Sequence, residues 1–289
     1  MSTQCRTRSY AALSHLCNAY WLNHDPARCW VIAYTAYYDA SGQEGEVDAP
    51  LVVAGVIARE DKWNKLEVDW KAHLAKFGVP YLHMKEWNKK GGQYAALRSD
   101  PEAERDFLDG TVRLTKKHVN KIFFVRLIPA DFHALTDEFM LPEAVGGPYA
   151  LTASATISHI ERWMKLKHPG QRILHLVEDG DDGQHHLHQM QRNEPNPAII
   201  RPSIDERGER LVPFQVADCL AYEHRLDVKR RWERDKRDRR QFLIRQRLQL
   251  PISPLQIDQE VIRHLCEQSP EMFPRRDGAT SPSASSVSP

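Results

Sequence analysis

Charge of one sign, long apolar runs and paired cysteines are all missing from this chain, and each absence removes a class of function. Its 40 basic side chains nearly cancel 39 acidic ones, leaving a formal net charge of +1. Bulk charge therefore selects no partner; only local clustering could. No apolar stretch reaches the roughly 18 residues that a membrane helix needs. The start, MSTQCRTRSYAALSHL, has neither a long apolar centre nor a clear cleavage site, so no signal peptide is expected. The five cysteines, at 5, 17, 29, 219 and 266, are scattered and odd in number, and none makes a C-x-x-C pair. That pattern fits a reduced cytoplasm better than secretion. No internal repeat is present. What remains is 289 residues, 41% hydrophobic and 27% charged. This is enough for one large domain or two small ones with a sizeable core.

The chain divides by pattern. Residues 1–28 carry no clear period and form a poorly defined N-terminal extension. The closing RRDGATSPSASSVSP is Ser/Pro-rich, so a disordered tail is expected over 274–289. Between them strand and helix signals alternate. Residues 31–38 read as a strand buried on both faces, and LVVAGVIA, 51–58, as a second strand joined closely enough for a hairpin. Trp63, Leu66, Trp70, Leu74 and Phe77 recur at helical spacing, with Asp61 as cap and Gly78 and Pro80 as stop. VPYLHMKEW reads as a short extended piece. Asp100 and Pro101 open a helix to about 118, KIFFVRLI is a strand over 121–128, and Pro148 opens a long helix to about Lys167. RILHLVEDGDD is a strand running into an acidic turn. Pro213 opens the helix of FQVADCLAYEH, and Ser253-Pro254 a last one. A hairpin followed by strand–helix alternation predicts an α/β domain with a mixed sheet, antiparallel at its start and parallel later. Functional residues of such sheets sit at the carboxyl ends of strands.

Acidic residues gather at those places. Asp39 follows a buried strand, Glu86 follows YLHMK, and Glu178, Asp179, Asp181 and Asp182 follow ILHLV. Asp218 interrupts an otherwise apolar helix, sharing a face with Gln215 and Tyr222 at i, i+3 and i+7. Carboxylates brought together repel and are costly to desolvate, so a fold that converges them needs a cation. Oxygen-only ligands suit Mg²⁺ or Mn²⁺, and a pair of such ions can cleave a phosphodiester. Each acid also has an ordinary explanation. A strand-terminal Asp can be a turn former, and an acidic quartet can be a solvated loop. Asp218 is harder to explain so, because Asp is costly inside an apolar helix.

Taken together, YYDASG, LVVAGVIA with its Trp-containing helix, YLHMKE and FQVADCLAYEHR resemble the family known as domain of unknown function 3800, in the right order over residues 31–230. The resemblance implies a ribonuclease-H-like mixed sheet flanked by helices. Such a fold carries one Asp on the first central strand, further acids on a later strand and helix, and two divalent metals. Carried over by position, it implies Asp39, Glu178 or Asp179, and Asp218 as Mg²⁺ or Mn²⁺ ligands, with Glu86 as a ligand or proton-transfer group. One departure is Ala40, where many members have Glu. The resulting expectation is a domain over 29–230 with a basic, helical extension over 231–273. Its function would be metal-dependent hydrolysis of DNA or RNA. A non-catalytic nucleic-acid- or protein-binding module and a transposase-like strand transferase are the rivals.

Weaker signals complete the reading. His83 and Lys85 are candidate phosphate contacts, as are Ser41 with its turn, and Gln215 beside Asp218. The run KRRWERDKRDRRQFLIRQR, 229–247, including Arg230 and Arg231, is either a solvated helix or a phosphate-backbone contact. His185, His186 and His188 have no matching second pair for zinc and read as a polar helix surface.

Overall fold

The computed structural model describes residues 33–89, 91–232 and 251–276. The expected N-terminal extension, residues 233–250 of the expected C-terminal extension (with most of the basic run) and residues 277–289 of the tail lie outside the described residues.

Six strands form one mixed sheet, in the order β5–β4–β1–β2–β3–β6. They are β1 (Tyr34–Ser41), β2 (Leu51–Arg59), β3 (Lys121–Leu127), β4 (Ile173–Glu178), β5 (Ile199–Arg201) and β6 (Ile252–Ile257). β1–β2 and β2–β3 are antiparallel, whereas β1–β4, β4–β5 and β3–β6 are parallel. Only β2 among these strands runs against the rest, so the carboxyl ends of the other five emerge at one edge. The helices are α1 (Glu60–Lys76), α2 (Met84–Trp87), α3 (Ala95–Ser99), α4 (Pro101–His118) and α5 (Pro129–His133), then α6 (Leu141–Val145), α7 (Pro148–Lys167), α8 (Gln184–Gln191), α9 (Val212–Trp232) and α10 (Gln259–Gln268). No described helix is long and apolar enough to cross a membrane.

The period of two in β1 sorts its side chains between two layers. Tyr37 faces α1 and α9, set edge-on between the Trp63 and Phe214 rings at 5.1 and 5.2 Å. Tyr38 faces α7 and meets buried His175, its hydroxyl 2.6 Å from Nδ1. β2 and α7 can approach closely because Gly55 has no side chain. A Cβ there would lie 2.7 Å from Ile160 Cδ1, 2.9 Å from Tyr38 and 3.0 Å from Thr156. The buried hydroxyls of Thr152 and Thr156 bond back to the carbonyls of Pro148 and Thr152, so neither is left without a partner where α7 covers the sheet. The α4 boundary follows its sequence signal: Asp100 accepts from Glu102 N and Ala103 N at 2.9 and 3.1 Å, with Pro101 behind it.

Several expectations need correction. β1 runs three residues beyond 38, because Ala40 and Ser41 still pair with Val53 and Val52. Asp61 does not cap α1. β2 runs straight into the helix through extended Arg59, and Asp61 instead pairs with Arg59 Nε at 2.9 Å. Within VPYLHMKEW, residues Met84–Trp87 form one helical turn, fixed by bonds from Glu86 N and Trp87 N to His83 O. Ser253-Pro254 opens no helix. Both lie in β6, and Pro254 is tolerated there because β6 is the edge strand of the sheet among the described residues, with no further neighbour there to receive its missing N–H. The true helix start is Asp258, which accepts from Val261 N at 3.0 Å. The segment expected as a basic, helical extension thus also supplies a strand of the central sheet.

Gly55→Ala should cost about 1–3 kcal/mol through overpacking. Adding Ile160→Val, which deletes the atom nearest the new methyl, should recover part of that loss, although alone it costs about 0.5–1.5 kcal/mol. A double-mutant cycle by urea unfolding measures the coupling. Simple additivity of the two variants would show that Gly55 is not there to admit α7.

Candidate functional site

Asp39 and Glu178 are brought together by strand register. The β1–β4 ladder ends at Tyr38 opposite Val177, so the next residue on each strand is a carboxylate. Alternation puts Asp39 on the face of Tyr37 and Glu178 on the face of Leu176, both in the layer covered by α9. Asp218, on α9, enters from above. Phe214, Ala217 and Ala221 of the same helix are buried in that layer.

The charges act on one another. Burial, then Glu178, Asp218 and Asp181, push the Asp39 carboxyl well above the ordinary range, and the Ala40 N–H, 2.8 Å from Oδ1, offsets only part of this. Burial also lifts Asp218, to about 6. The Met84 N–H, 2.7 Å from Oδ2, lowers it, as does His83; Glu178 raises it again and Arg210 lowers it. Asp181 is pushed to about 7, by burial first and Glu178 second, with the Tyr149 hydroxyl opposing. Asp39 Oδ2 and Asp218 Oδ1 have no hydrogen-bond donor among the described residues.

The expected acids therefore separate. Asp39, Glu178 and Asp218 share one electrostatic neighbourhood. Asp179 is exposed, and its N–H bonds Arg201 O in the β5 direction. Pattern had left Glu178 and Asp179 as equal choices, and strand alternation favours Glu178. Asp181 joins the group without having been singled out; the turn at Gly180, with φ +124°, folds it back, and no spacing rule reports that. Among the described residues, no group of three or more His, Cys, Asp and Glu side chains is placed to hold a metal ion. The zinc-like histidines lie on α8, with the His185 and His186 ring centres 3.7 Å apart.

Glu86 stands apart from the three acids as the centre of a donor cluster. Tyr81 hydroxyl and Gln93 Nε2 each donate to Oε2 at 2.9 Å, His83 Nδ1 lies 3.2 Å from Oε1, and Arg210 Nη2 lies 3.8 Å from Oε1. Burial pushes its carboxyl up, but the Tyr81 and His83 bonds prevail and hold it below the usual range. A small, open cleft joins the two groups: Glu178 and Asp218 line it together with His83, Ser203 and Arg210.

The remaining substrate candidates are placed as follows. Gln215 is buried with both amide ends engaged: Oε1 accepts from Trp70 Nε1 at 3.1 Å and Leu82 N at 2.8 Å, and Nε2 donates to Arg210 O at 3.0 Å. Its amide braces the cleft, with its oxygen accepting twice and its nitrogen donating once. Ser41 is half-buried before Gly42, where a side chain would meet Pro50 O at 2.8 Å. Lys85 is exposed on α2. Arg230 and Arg231 lie 12 and 13 residues along α9 from Asp218, about 18–20 Å away at 1.5 Å per residue. Arg231 pairs with Asp227 at 3.2 Å.

A pH dependence follows from these carboxyls. For Asp39, Asp181 and Asp218 the folded-state pKa lies above the unfolded value near 4, so folding takes up protons between the two. In metal-free buffer, the stability these groups contribute should be greatest at and below about pH 4, and should decline from there as pH rises toward 7. Asp39→Asn should flatten that decline and raise the melting temperature at pH 7. A melting temperature at pH 7 lowered by Asp39→Asn would contradict the repulsion.

No protein-family model matches the chain, and no curated protein matches it. Among solved structures, the chain is similar to a mutant protein of Bst-RNase HIII at 14% identity and TM-score 0.38, covering 73% of this chain and 59% of that one. It is similar to Bst-RNase HIII in complex with Mn²⁺ at 11% identity and TM-score 0.38, covering 78% and 67%. The third is RNase HII in the PCNA:RNase HII complex from Archaeoglobus fulgidus, at 15% identity and TM-score 0.35, covering 81% and 89%. The chain thus spans about three fifths of the first of these structures.

Proposed function

We propose that the protein is a metal-dependent phosphodiesterase acting on DNA or RNA, built on a ribonuclease-H-like sheet as the resemblance to domain of unknown function 3800 implies. The observation that carries this reading is the grouping of Asp39, Glu178 and Asp218 on one face, at the carboxyl ends of adjacent central strands. It supports the expected pattern of one Asp on the first central strand, an acid on a later strand and an acid on a helix.

The donor chemistry fits a hard divalent cation. All three side chains are carboxylates, two have an oxygen free of hydrogen-bond donors, and their mutual repulsion is what a cation offsets. Asp39, Glu178 and Asp218 would hold Mg²⁺ or Mn²⁺, with Asp181 adding negative charge nearby. When bound, such an ion supplies an acidified water and charge stabilisation at the departing oxygen. The chain's own residues do the rest. Met84 N–H fixes Asp218, and Ala40 N–H fixes Asp39, so the carboxylates are oriented before substrate arrives. Glu86, which the sequence suggested as ligand or proton carrier, bonds His83 and lies 3.8 Å from Arg210, both of which line the same cleft.

A non-catalytic nucleic-acid-binding module is the second reading. It is favoured by the lack, among the described residues, of any group placed for three-ligand coordination.

The test is direct. Mg²⁺ or Mn²⁺ at millimolar levels should raise the melting temperature, since a ligand specific for the folded state stabilises it. Asp39→Asn with Asp218→Asn should abolish the shift. Asp39→Asn alone should remove metal-dependent cleavage of a DNA and RNA substrate panel by about two orders of magnitude or more, while Asp48→Asn in the β1–β2 loop stays near wild type. Cleavage by purified Asp39→Asn at the wild-type rate would end this assignment. A wild type that binds nucleic acid and never cuts it would favour the second reading.

A further inference from the structure

The cleft that Glu178 and Asp218 line also carries cationic and donor groups, and these are held in place by contacts of their own. Arg210 is fixed three ways. Its carbonyl accepts from Gln215 Nε2 at 3.0 Å, its backbone bridges Ile204, and its guanidinium lies 4.8 Å over the Tyr81 ring. Glu86 faces it, but Tyr81, Gln93 and His83 already satisfy that carboxylate at 2.9, 2.9 and 3.2 Å. Arg210 remains at 3.8 Å, a Coulomb contact that forms no hydrogen bond. Its five N–H groups therefore have no acceptor among the described residues, although the side chain is only 22% exposed. A partly buried guanidinium that is held in place and makes no side-chain hydrogen bond within the described residues suits a planar, bidentate anion contact.

Two further donors line the same cleft. The Ser203 hydroxyl makes no hydrogen bond within the described residues, while its carbonyl anchors the loop by accepting from Leu211 N at 2.7 Å. His83 is tied through Nδ1 to Glu86, which leaves its other ring nitrogen for a ligand. Glu86 is the acid in contact with these groups, and the acids lining the cleft itself are Glu178 and Asp218.

We propose that Arg210, Ser203 and His83 form the phosphate-contacting wall of the site, receiving a phosphate of a polynucleotide whose far side faces Asp39, Glu178 and Asp218, with Glu86 as the positioning residue that aims Arg210 and His83. This rests on the phosphodiesterase reading for the identity of the ligand, and extends it to groups that the acid pattern does not contain. It also moves the substrate contact away from Arg230 and Arg231, which lie much farther along α9.

The experiment measures binding apart from cleavage, using the full-length protein, fluorescein-labelled single-stranded DNA and RNA oligonucleotides, and Ca²⁺ as the divalent ion. Arg210→Gln should weaken binding about tenfold and lower the slope of log affinity against log salt by about 0.7, the share of one single-strand phosphate contact. Arg210→Lys should restore the slope but only part of the affinity, because an ammonium keeps the charge and loses the fork. Glu86→Gln should give an intermediate loss of affinity with no loss of slope. Arg207→Gln, on the exposed part of the same loop, should change neither. Melting temperatures within a few degrees of wild type qualify each variant, and Arg210→Lys carries the test if Arg210→Gln does not fold. Equal effects of Arg207→Gln and Arg210→Gln, or normal affinity and slope in Arg210→Gln, would overturn the wall, even if Mg²⁺-dependent cleavage is found. If the wild type binds but never cleaves, and Arg210→Gln still binds more weakly, the wall stands and the nuclease reading falls. A wild type that binds neither oligonucleotide overturns both.

Discussion

The parallel register between β1 and β4 is the constraint on which the site depends. Once Tyr38 stands opposite Val177, the next step on both strands must place Asp39 beside Glu178, and the pleat must turn both toward α9. Like charges at that spacing oppose folding, so the surrounding packing has to hold them. It does so with large apolar contacts immediately behind the acids: Tyr37 wedged between Trp63 and Phe214, and the small residues Ala217 and Ala221 letting α9 lie close on the sheet. The repulsion is a local cost offset by the core that the same strands and helix build.

The two walls of the cleft differ in how they are made. The acidic wall comes from the central sheet and one helix, elements with little freedom to shift. The basic wall comes from the turn of α2 and the loop before α9, and owes its shape to side-chain hydrogen bonds. Gln215 is the joint between the walls. It sits one helical turn before Asp218 on α9, and its amide grips Trp70 of α1, Leu82 before α2 and Arg210 of the loop. A single buried amide thus sets the loop against the helix that carries the acid.

Much of this was legible in the residues because the relevant signals are local. The hairpin, the Pro101 and Pro148 helix starts, the acidic strand ends and the acid inside FQVADCLAY are all written within a few positions of each other. What escaped was long-range. Whether Glu178 or Asp179 belongs with Asp39 depends on which strand lies beside β1, which no single segment states. Asp181 enters through a turn at a left-handed glycine. Arg210 and Ser203 have unremarkable sequence neighbours, and only the fold brings them to face Asp218. Ser253-Pro254 looked like a helix opening because Ser-Pro often is one. The deciding fact was the free edge of β3, which accepts a parallel partner whose own outer edge can tolerate proline.

That edge has a practical consequence. β3 is buried along nearly its whole length, with Ile122, Phe123, Phe124, Val125 and Leu127 each 1% exposed or less. β6 is what shields it, and β6 is contributed by chain beyond residue 250. Cutting the protein at 230, where the family-like region ends by pattern, would strip this cover. It would leave a flat, apolar strand with an open row of backbone donors and acceptors. Such an edge pairs with other copies of itself. A shortened protein that precipitates would therefore report the loss of a shared sheet partner, and its insolubility would say nothing about the chemistry at the opposite flank of β1.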